Sequence, residues 1–202
     1  MNHRTVLPVA ALVLGLAVVG CASTNTGSTS GAGPSSSSSP ARSAQPGVVF
    51  NDADVTFLTD MYPHHAQALE MATMVEGRST TRSVIDLATR IKGEQQPEMD
   101  TITSLLVSFG RPQPSAGMGG MGGSGMSGMM TAGDMSKLGT LSGTEFDKTW
   151  LTMMTQHHTG AVDMAKVELA RGSNADAKTL ATNIVAAQQA EISLMKGLLA
   201  QP

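Results

Sequence analysis

Met61-Tyr62-Pro63-His64-His65-Ala66-Gln67-Ala68-Leu69-Glu70-Met71-Ala72 returns, at a shift of 93 residues, as Met154-Thr155-Gln156-His157-His158-Thr159-Gly160-Ala161-Val162-Asp163-Met164-Ala165. The same ungapped shift carries Leu58-Thr59 onto Leu151-Thr152 and Leu87-Ala88-Thr89 onto Leu180-Ala181-Thr182. It also carries Ile91 onto Ile184, Gln95-Gln96 onto Gln188-Gln189 and Glu98 onto Glu191. A match of this length without a gap marks a duplicated unit.

Each unit reads as two helices. Phe57, Met61, Ala68, Met71 and Val75 keep the spacing of one helical stripe. Asn51 with Asp54, and Thr144 with Asp147, read as an N-cap and the acid three residues on. Gly77-Arg78-Ser79 and Arg171-Gly172-Ser173 break the pattern. A second stripe then follows, Val84, Leu87, Ile91, Ile102 and Leu105, echoed by Leu180, Ile184, Met195 and Leu198. No segment alternates with the period of a strand. The expected fold is all-α: two helical hairpins, residues 48–109 and 144–202, joined through 110–143 into a four-helix bundle with one crossover. So long a connection marks function or disorder. Pro63 and Pro97 fall inside expected helices, where they should kink the helix or free a backbone carbonyl.

Upstream of the units the chain reads as an export segment. Arg4 precedes an apolar run from Val6 to Val19, interrupted by Pro8, which is shorter than the roughly 20 residues a spanning helix needs. It ends in Val18-Val19-Gly20-Cys21, which resembles the site where a bacterial signal peptidase cleaves before a lipidated cysteine. Residues 1–20 are therefore expected to be a lipoprotein signal peptide and Cys21 the lipidation site. Residues 21–47, rich in Ser, Gly, Thr and Pro, are expected to be a flexible tether, since they have little apolar surface to offset the entropy of ordering. This places the protein on the outer face of the cell membrane, with the lipid bilayer as a partner. Cys21 is the sole cysteine, so stability rests on packing rather than on a disulfide. About 150 residues remain for the folded part, enough for one domain with a real core. A net charge of −3 and 3% aromatic residues, with no basic cluster, argue against nucleic acid.

All histidines beyond the export segment lie in the two pairs, His64-His65 and His157-His158. Helix neighbours are about 100° apart, so one ring of each pair can point inward. His64 shares a face with Met61, Ala68 and Met71, and His157 with Met154, Ala161 and Met164. The set is suited to a metal; the same residues also suit a hydrogen-bonded core. On the second helices, Gln95 and Glu98, repeated as Gln188 and Glu191, fall on the apolar stripe. A carboxylate there needs a partner. It can orient an imidazole, add a ligand, or simply fix helix register.

The connection is the other signal. Met118, Met121, Met126, Met129, Met130 and Met135 stand among Gly and Ser, in a segment that reads as too glycine-rich for a helix. Thioethers are soft ligands suited to Cu(I) and, by the same softness, to Ag(I). Outside the cytoplasm they offer soft coordination without the tendency of thiols to form disulfides. The pairs Met118/Met121 and Met126/Met129 have a spacer that permits chelation by one segment. An adaptable apolar contact surface is the competing reading.

These motifs resemble a bacterial family called domain of unknown function three-zero-five. Its pattern, Met-x-x-His-His-x-x-Ala-x-x-Met-Ala followed by a helix with Gln-x-x-Glu-Ile, is matched twice between about residues 50 and 200. Met99 replaces the final Ile in the first unit. The resemblance implies a ferritin-like bundle and, for some members, periplasmic copper binding linked to metal tolerance. It implies no enzymatic activity, and the Glu-x-x-His set of di-iron bundles is missing here. The expected function is a membrane-anchored binder that sequesters or transfers Cu(I), with Ag(I) as a second ion and a metal-donor or metal-acceptor protein as partner. No catalytic residue is assigned. The competing functions are a metal-independent interaction module of the cell envelope and a ferritin-like metalloenzyme.

Overall fold

The computed structural model describes residues 44–45, 47–114 and 126–201. The expected signal peptide, Cys21, most of the expected tether, Met118 and Met121 lie outside the described residues. Among the described residues the chain forms five helices and no strand: α1 (Asp52–Met74), α2 (Arg82–Ser108), α3 (Ala132–Thr140), α4 (Gly143–Arg171) and α5 (Ala175–Leu199). α1 packs against α2 and α4, and α5 against α4 and α2, which closes a four-helix bundle.

α1 starts as the sequence suggests. Asn51 accepts from the backbone N–H groups of Ala53 and Asp54, and Asp54 accepts from that of Asn51. α4 corrects the parallel expectation: its first residue is Gly143 and its N-cap is Ser142, so Thr144 is no cap. There the Gly143 N–H donates to the Arg78 carbonyl at 2.7 Å, which satisfies a free donor of the first turn without a side chain. Asp147 is thereby left to accept from the Thr81 hydroxyl at the start of α2. Asp54 reaches in the same way to the N–H groups of Ser173 and Asn174 at the start of α5. Thr81 and Asn174 are equivalent under the repeat. Each unit thus fastens the hairpin loop of the other, and the bundle has approximate twofold symmetry.

The same contacts set the topology. At one end of α1, Asp54 meets Ser173; at the other, the buried Trp150 indole donates to the Met71 carbonyl at 2.8 Å. α1 and α4 therefore run antiparallel, and the order is up-down-down-up with the crossover running the length of the bundle, as in ferritin-like folds. The chain is already fastened at Gln45, whose N–H donates to Ser108, and Phe50 stacks on Phe109 at 4.3 Å.

The crossover differs from expectation. It holds a helix, α3, because glycine thins out after Gly128 and Thr131 with Asp134 forms a full capping box. Met135 and Leu138 of α3 are buried, and with Met130 they join the cluster containing Phe146, Trp150 and Met154. Pro63 and Pro97 lie within α1 and α2 and end neither helix. On α2 the stripe runs through Leu106 and Phe109, while Leu105 is only partly buried.

The apolar interior falls into two clusters. One contains Ala68, Met71, Leu87, Ile91, Trp150, Met154 and Met195. The other contains Phe57, Met61, Ile102, Leu106, Ala161, Leu180 and Ile184. Along every long helix the boundary between them is polar: His64 and His65, Gln95, His157 and His158, then Gln188 and Glu191, all buried. A polar layer crosses the bundle between two hydrophobic halves.

Candidate metal centre

His64 and His157 meet across the α1–α4 interface, with ring centroids 3.8 Å apart and planes tilted by 41°. Burial first, then the neighbouring His65, hold His64 down at about 3. Burial, followed by the charges His64, His158 and His65 would carry, holds His157 well below the ordinary imidazole value. Both rings are neutral at physiological pH, the form that binds metal. His64 Nε2 lies 3.1 Å from the Ser127 carbonyl. A carbonyl only accepts, so the neutral ring carries its proton on Nε2 and keeps its lone pair on the buried, unpartnered Nδ1. Neither nitrogen of His157 makes a well-formed hydrogen bond. Leaving such groups unmet costs about 1–3 kcal/mol each, and a cation ligated by the lone pairs offsets that cost.

The outer rings turn the other way. His65 Nε2 is 2.7 Å from Glu98 Oε2, and His158 Nε2 is 2.8 Å from Glu191 Oε2. The two contacts are equivalent under the repeat, and each lies within one unit. The units differ beyond that: Arg90 Nε stands 3.5 Å from Glu191 Oε1, and Glu191 is 3% exposed against 17% for Glu98. These carboxylates orient outer imidazoles through a ring N–H, as carboxylates behind metal-ligating histidines do. Gln95 has both amide atoms buried without partners, and Gln188 its oxygen; neither bonds to an imidazole.

The last described part of the methionine-rich segment sits on the inner pair. Met129 N–H donates to the Met126 carbonyl at 3.3 Å, and Gly128 lies at φ +82. The positive φ at the third position makes residues 126–129 a type II turn, which brings the first and last residues within about 7 Å. Met126 and Met129 are half-buried at the two ends of this turn, and the residue between them, Ser127, contacts His64. The glycine-rich reading of this segment, which would leave all six thioethers exposed, is corrected here: Met130 and Met135 are buried in the core.

Other expected ligands are spread more widely. Met61 and Met154 are fully buried one turn from His64 and His157. Met71 lies among the cluster of Trp150. Met164 lines a surface groove with Phe57, Asp60, Val167 and Glu168. At i+7 these two stand about 10 Å further along their helices than the inner rings. Among the described residues no three His, Cys, Asp or Glu side chains form a ready cage, so the candidate set mixes imidazole with thioether. Sequence reasoning missed Gln67, Gly160 and Arg90. Gln67 holds Met130 from both sides, its Nε2 donating to the Met130 carbonyl at 2.9 Å and its Oε1 accepting from the Met130 N–H at 2.7 Å. The available signal for Gln67 and Gly160 was their shared place in the repeat, two positions after the second histidine and just before the matched Ala68 and Ala161.

Fold and site together define a ferritin-like bundle of two helical hairpins with paired histidines at its mid-height and a methionine turn against them. The chain belongs to the family described as Domain of unknown function (DUF305), which matches residues 54–199. A family protein of Streptomyces coelicolor, described as secreted, is 38% identical with a TM-score of 0.66, over 73% of this chain and 92% of that one. A family fragment from Deinococcus radiodurans is 32% identical with a TM-score of 0.64, over 74% of this chain and 96% of that one. CopM in its Cu(II)-bound form is 28% identical with a TM-score of 0.64, over 72% of this chain and 95% of that one. CopM is also known in Cu(I)-bound and Ag-bound forms. Among curated proteins, none matches the chain. The relatives point to a role in metal handling.

Proposed function

We propose that this protein is a membrane-anchored, extracytoplasmic binder of Cu(I), and by the same softness of Ag(I), that sequesters or transfers the ion in metal tolerance. The observation that carries the reading is the seating of the Met126–Met129 turn against His64, beside the neutral and unpartnered His157. The turn brings two thioether-bearing residues to the segment that contacts His64, and thioether with neutral imidazole is a soft, uncharged donor set that favours a monovalent d10 cation over hard ions. CopM, a relative in sequence and fold, has Cu(I)-bound and Ag-bound forms beside its Cu(II)-bound form, which supports copper and silver as the ions. Anchoring rests on the apolar run before Cys21, and a secreted relative agrees with a place outside the cytoplasm. A metal-donor or metal-acceptor protein is the partner such a role requires. The reading is of a binder rather than a catalyst, since soft ligands hold the ion and the Glu-x-x-His pattern of di-iron bundles is missing from the sequence.

The test is an anaerobic Cu(I) titration of the full chain against a competing chelator, in a Cys21→Ser background so that no free thiol contributes. Stoichiometric competition is expected, weakened by His64→Ala with His157→Ala and by Met126→Leu with Met129→Leu. A chain that takes no Cu(I) from the chelator leaves the interaction module as the better account.

A further inference from the structure

We infer that Gln67 and Gly160 are positioning residues: they form a receptor on α1 and α4 that docks the Met126–Met130 segment over the histidine pair, and this docking gives the site its preference for soft monovalent cations. The inference rests on the metal-binding reading above and goes beyond it, because it assigns selectivity to two residues that ligate nothing.

Gln67 and Gly160 are the same position of the repeat, one turn after His64 and His157. The duplication placed like residues there on two helices that face each other, and the two now differ in complementary ways. On α1, the Gln67 amide pairs with both backbone groups of Met130, at 2.9 and 2.7 Å, as a neighbouring strand would. On α4, Gly160 leaves a notch: a Cβ built there would overlap the Ser127 carbonyl and meet Gly128 Cα at 2.8 Å. The strap returns the fit, for a Cβ on Gly128 would meet the Gln156 and His157 carbonyls at 2.8 and 2.9 Å. Strap and helix thus touch backbone to backbone, an approach open only to glycine. Between these two anchors, the Ser127 carbonyl accepts a hydrogen bond from His64 Nε2–H and fixes which nitrogen keeps its lone pair.

The consequence is chemical. With the strap docked, the turn that carries the thioethers of Met126 and Met129 is held against His64 through the Ser127 carbonyl, so a soft cation such as Ag(I) or Cu(I) can draw on sulfur as well as imidazole. With the strap released, His64 and His157 remain as a nitrogen-only pair, which suits borderline divalent ions such as Zn(II) no worse than before. Groups that hold ligands in place, when removed, typically change metal affinity about 10–100-fold.

The experiment compares Gln67→Ala, Gly160→Ala and the control Gly139→Ala, whose Cβ would meet nothing within 4 Å, in the full Cys21→Ser chain. Ag(I) and Zn(II) affinities are measured by competition, and hydrogen exchange is followed at the Met130 amide. Gly160→Ala replaces a helical glycine by the best helix former, so lost binding there does not come from a weakened α4. The expected result is faster exchange at Met130 and roughly tenfold or greater loss of Ag(I) affinity in both variants, with Zn(II) affinity unchanged and the control like the parent. Equal losses for both ions overturn the claim of selectivity. Released exchange with intact Ag(I) affinity overturns the role of the strap, and unchanged exchange overturns the receptor itself. A parent chain that binds no Ag(I) refutes the metal-binding reading instead. A misfolded Gln67→Ala leaves the decision to Gly160→Ala.

Discussion

His64 and His157, equivalent residues of the two units, meet across the approximate twofold axis with ring centroids 3.8 Å apart and planes tilted by 41°. Duplication explains the meeting: a residue near the axis faces its own copy. It does not explain why so costly a pair persists, two neutral imidazoles with three of four nitrogens unpartnered. The proposed metal binding supplies a reason.

That account separates stability from function at one position. Replacing His157 by Phe keeps an aromatic ring against His64 and removes two buried polar atoms. Without metal, His157→Phe should be as stable as the parent or more stable by about 1–2 kcal/mol, measured by urea unfolding in the presence of a chelator. The rise in Tm caused by Ag(I) should disappear. Marked destabilisation of the metal-free protein would show a structural histidine.

The outer pairs should behave in the opposite way. His158→Ala strands the Glu191 carboxylate, which is 3% exposed and keeps only Arg90 at 3.5 Å. A loss of about 3 kcal/mol or more is expected, since the remaining charge stays buried. His65→Ala should cost clearly less, because Glu98 is 17% exposed and can turn to water. Urea unfolding of the two variants, with Glu191→Gln completing a double-mutant cycle, checks the order. Equal costs would mean that burial does not set the difference.

Much of this arrangement was legible in the sequence, and for a definite reason. Helical period and ungapped repetition depend on local spacing, so the hairpins and the Asn51–Asp54 cap could be read directly; the spacing gives one inward ring per histidine pair, whereas both rings of each pair are buried. Glu98 and Glu191 could be read as partners of imidazoles because carboxylates on an apolar stripe need one. What stayed hidden depends on contacts between units. Asp147 loses its capping role to a backbone contact between Gly143 and Arg78. The glycine content of the Met segment argues against a helix, yet Gly128 shapes a turn and Thr131 caps α3. Gln67 and Gly160 carry no chemistry of their own; only the strap lying between them reveals their use.

The methionines of the crossover divide into two kinds, and their substitutions should divide with them. Met130 and Met135 are 6% and 8% exposed in the core beside Trp150, so either one changed to Ala should cost about 2–5 kcal/mol. Met126→Leu with Met129→Leu conserves volume at half-buried sites and should cost less than about 1.5 kcal/mol, while removing both thioethers. Thermal unfolding with and without Ag(I) distinguishes them: the first kind lowers the baseline Tm, and the second abolishes the shift the ion produces. An Ag(I) shift that survives the double leucine variant would remove the turn from the site.

The last prediction concerns pH and lies at the end of the bundle, away from the histidines. Burial pulls the Asp54 carboxyl up, but the backbone N–H groups of Asn174 and Asn51 outweigh it and hold the group below its ordinary value. Glu168 is fully buried beside it. Burial, then the hydrogen bond and charge of Asp54, push Glu168 up to about 7 from an ordinary 4.5. The folded protein therefore keeps on Glu168 a proton that the unfolded chain releases above about 4.5. The resulting penalty is absent below that pH, grows as pH rises, and is complete above about 7. Glu168→Gln keeps a donor toward Asp54 without the charge. At pH 8 the variant should exceed the parent by about 1–3 kcal/mol, the order that a shift of this size carries, and at pH 4 the two should agree. Urea unfolding at both values decides it: a difference independent of pH would show that the amide acts through packing, and no difference at pH 8 would show that Glu168 ionises there at no cost to the fold.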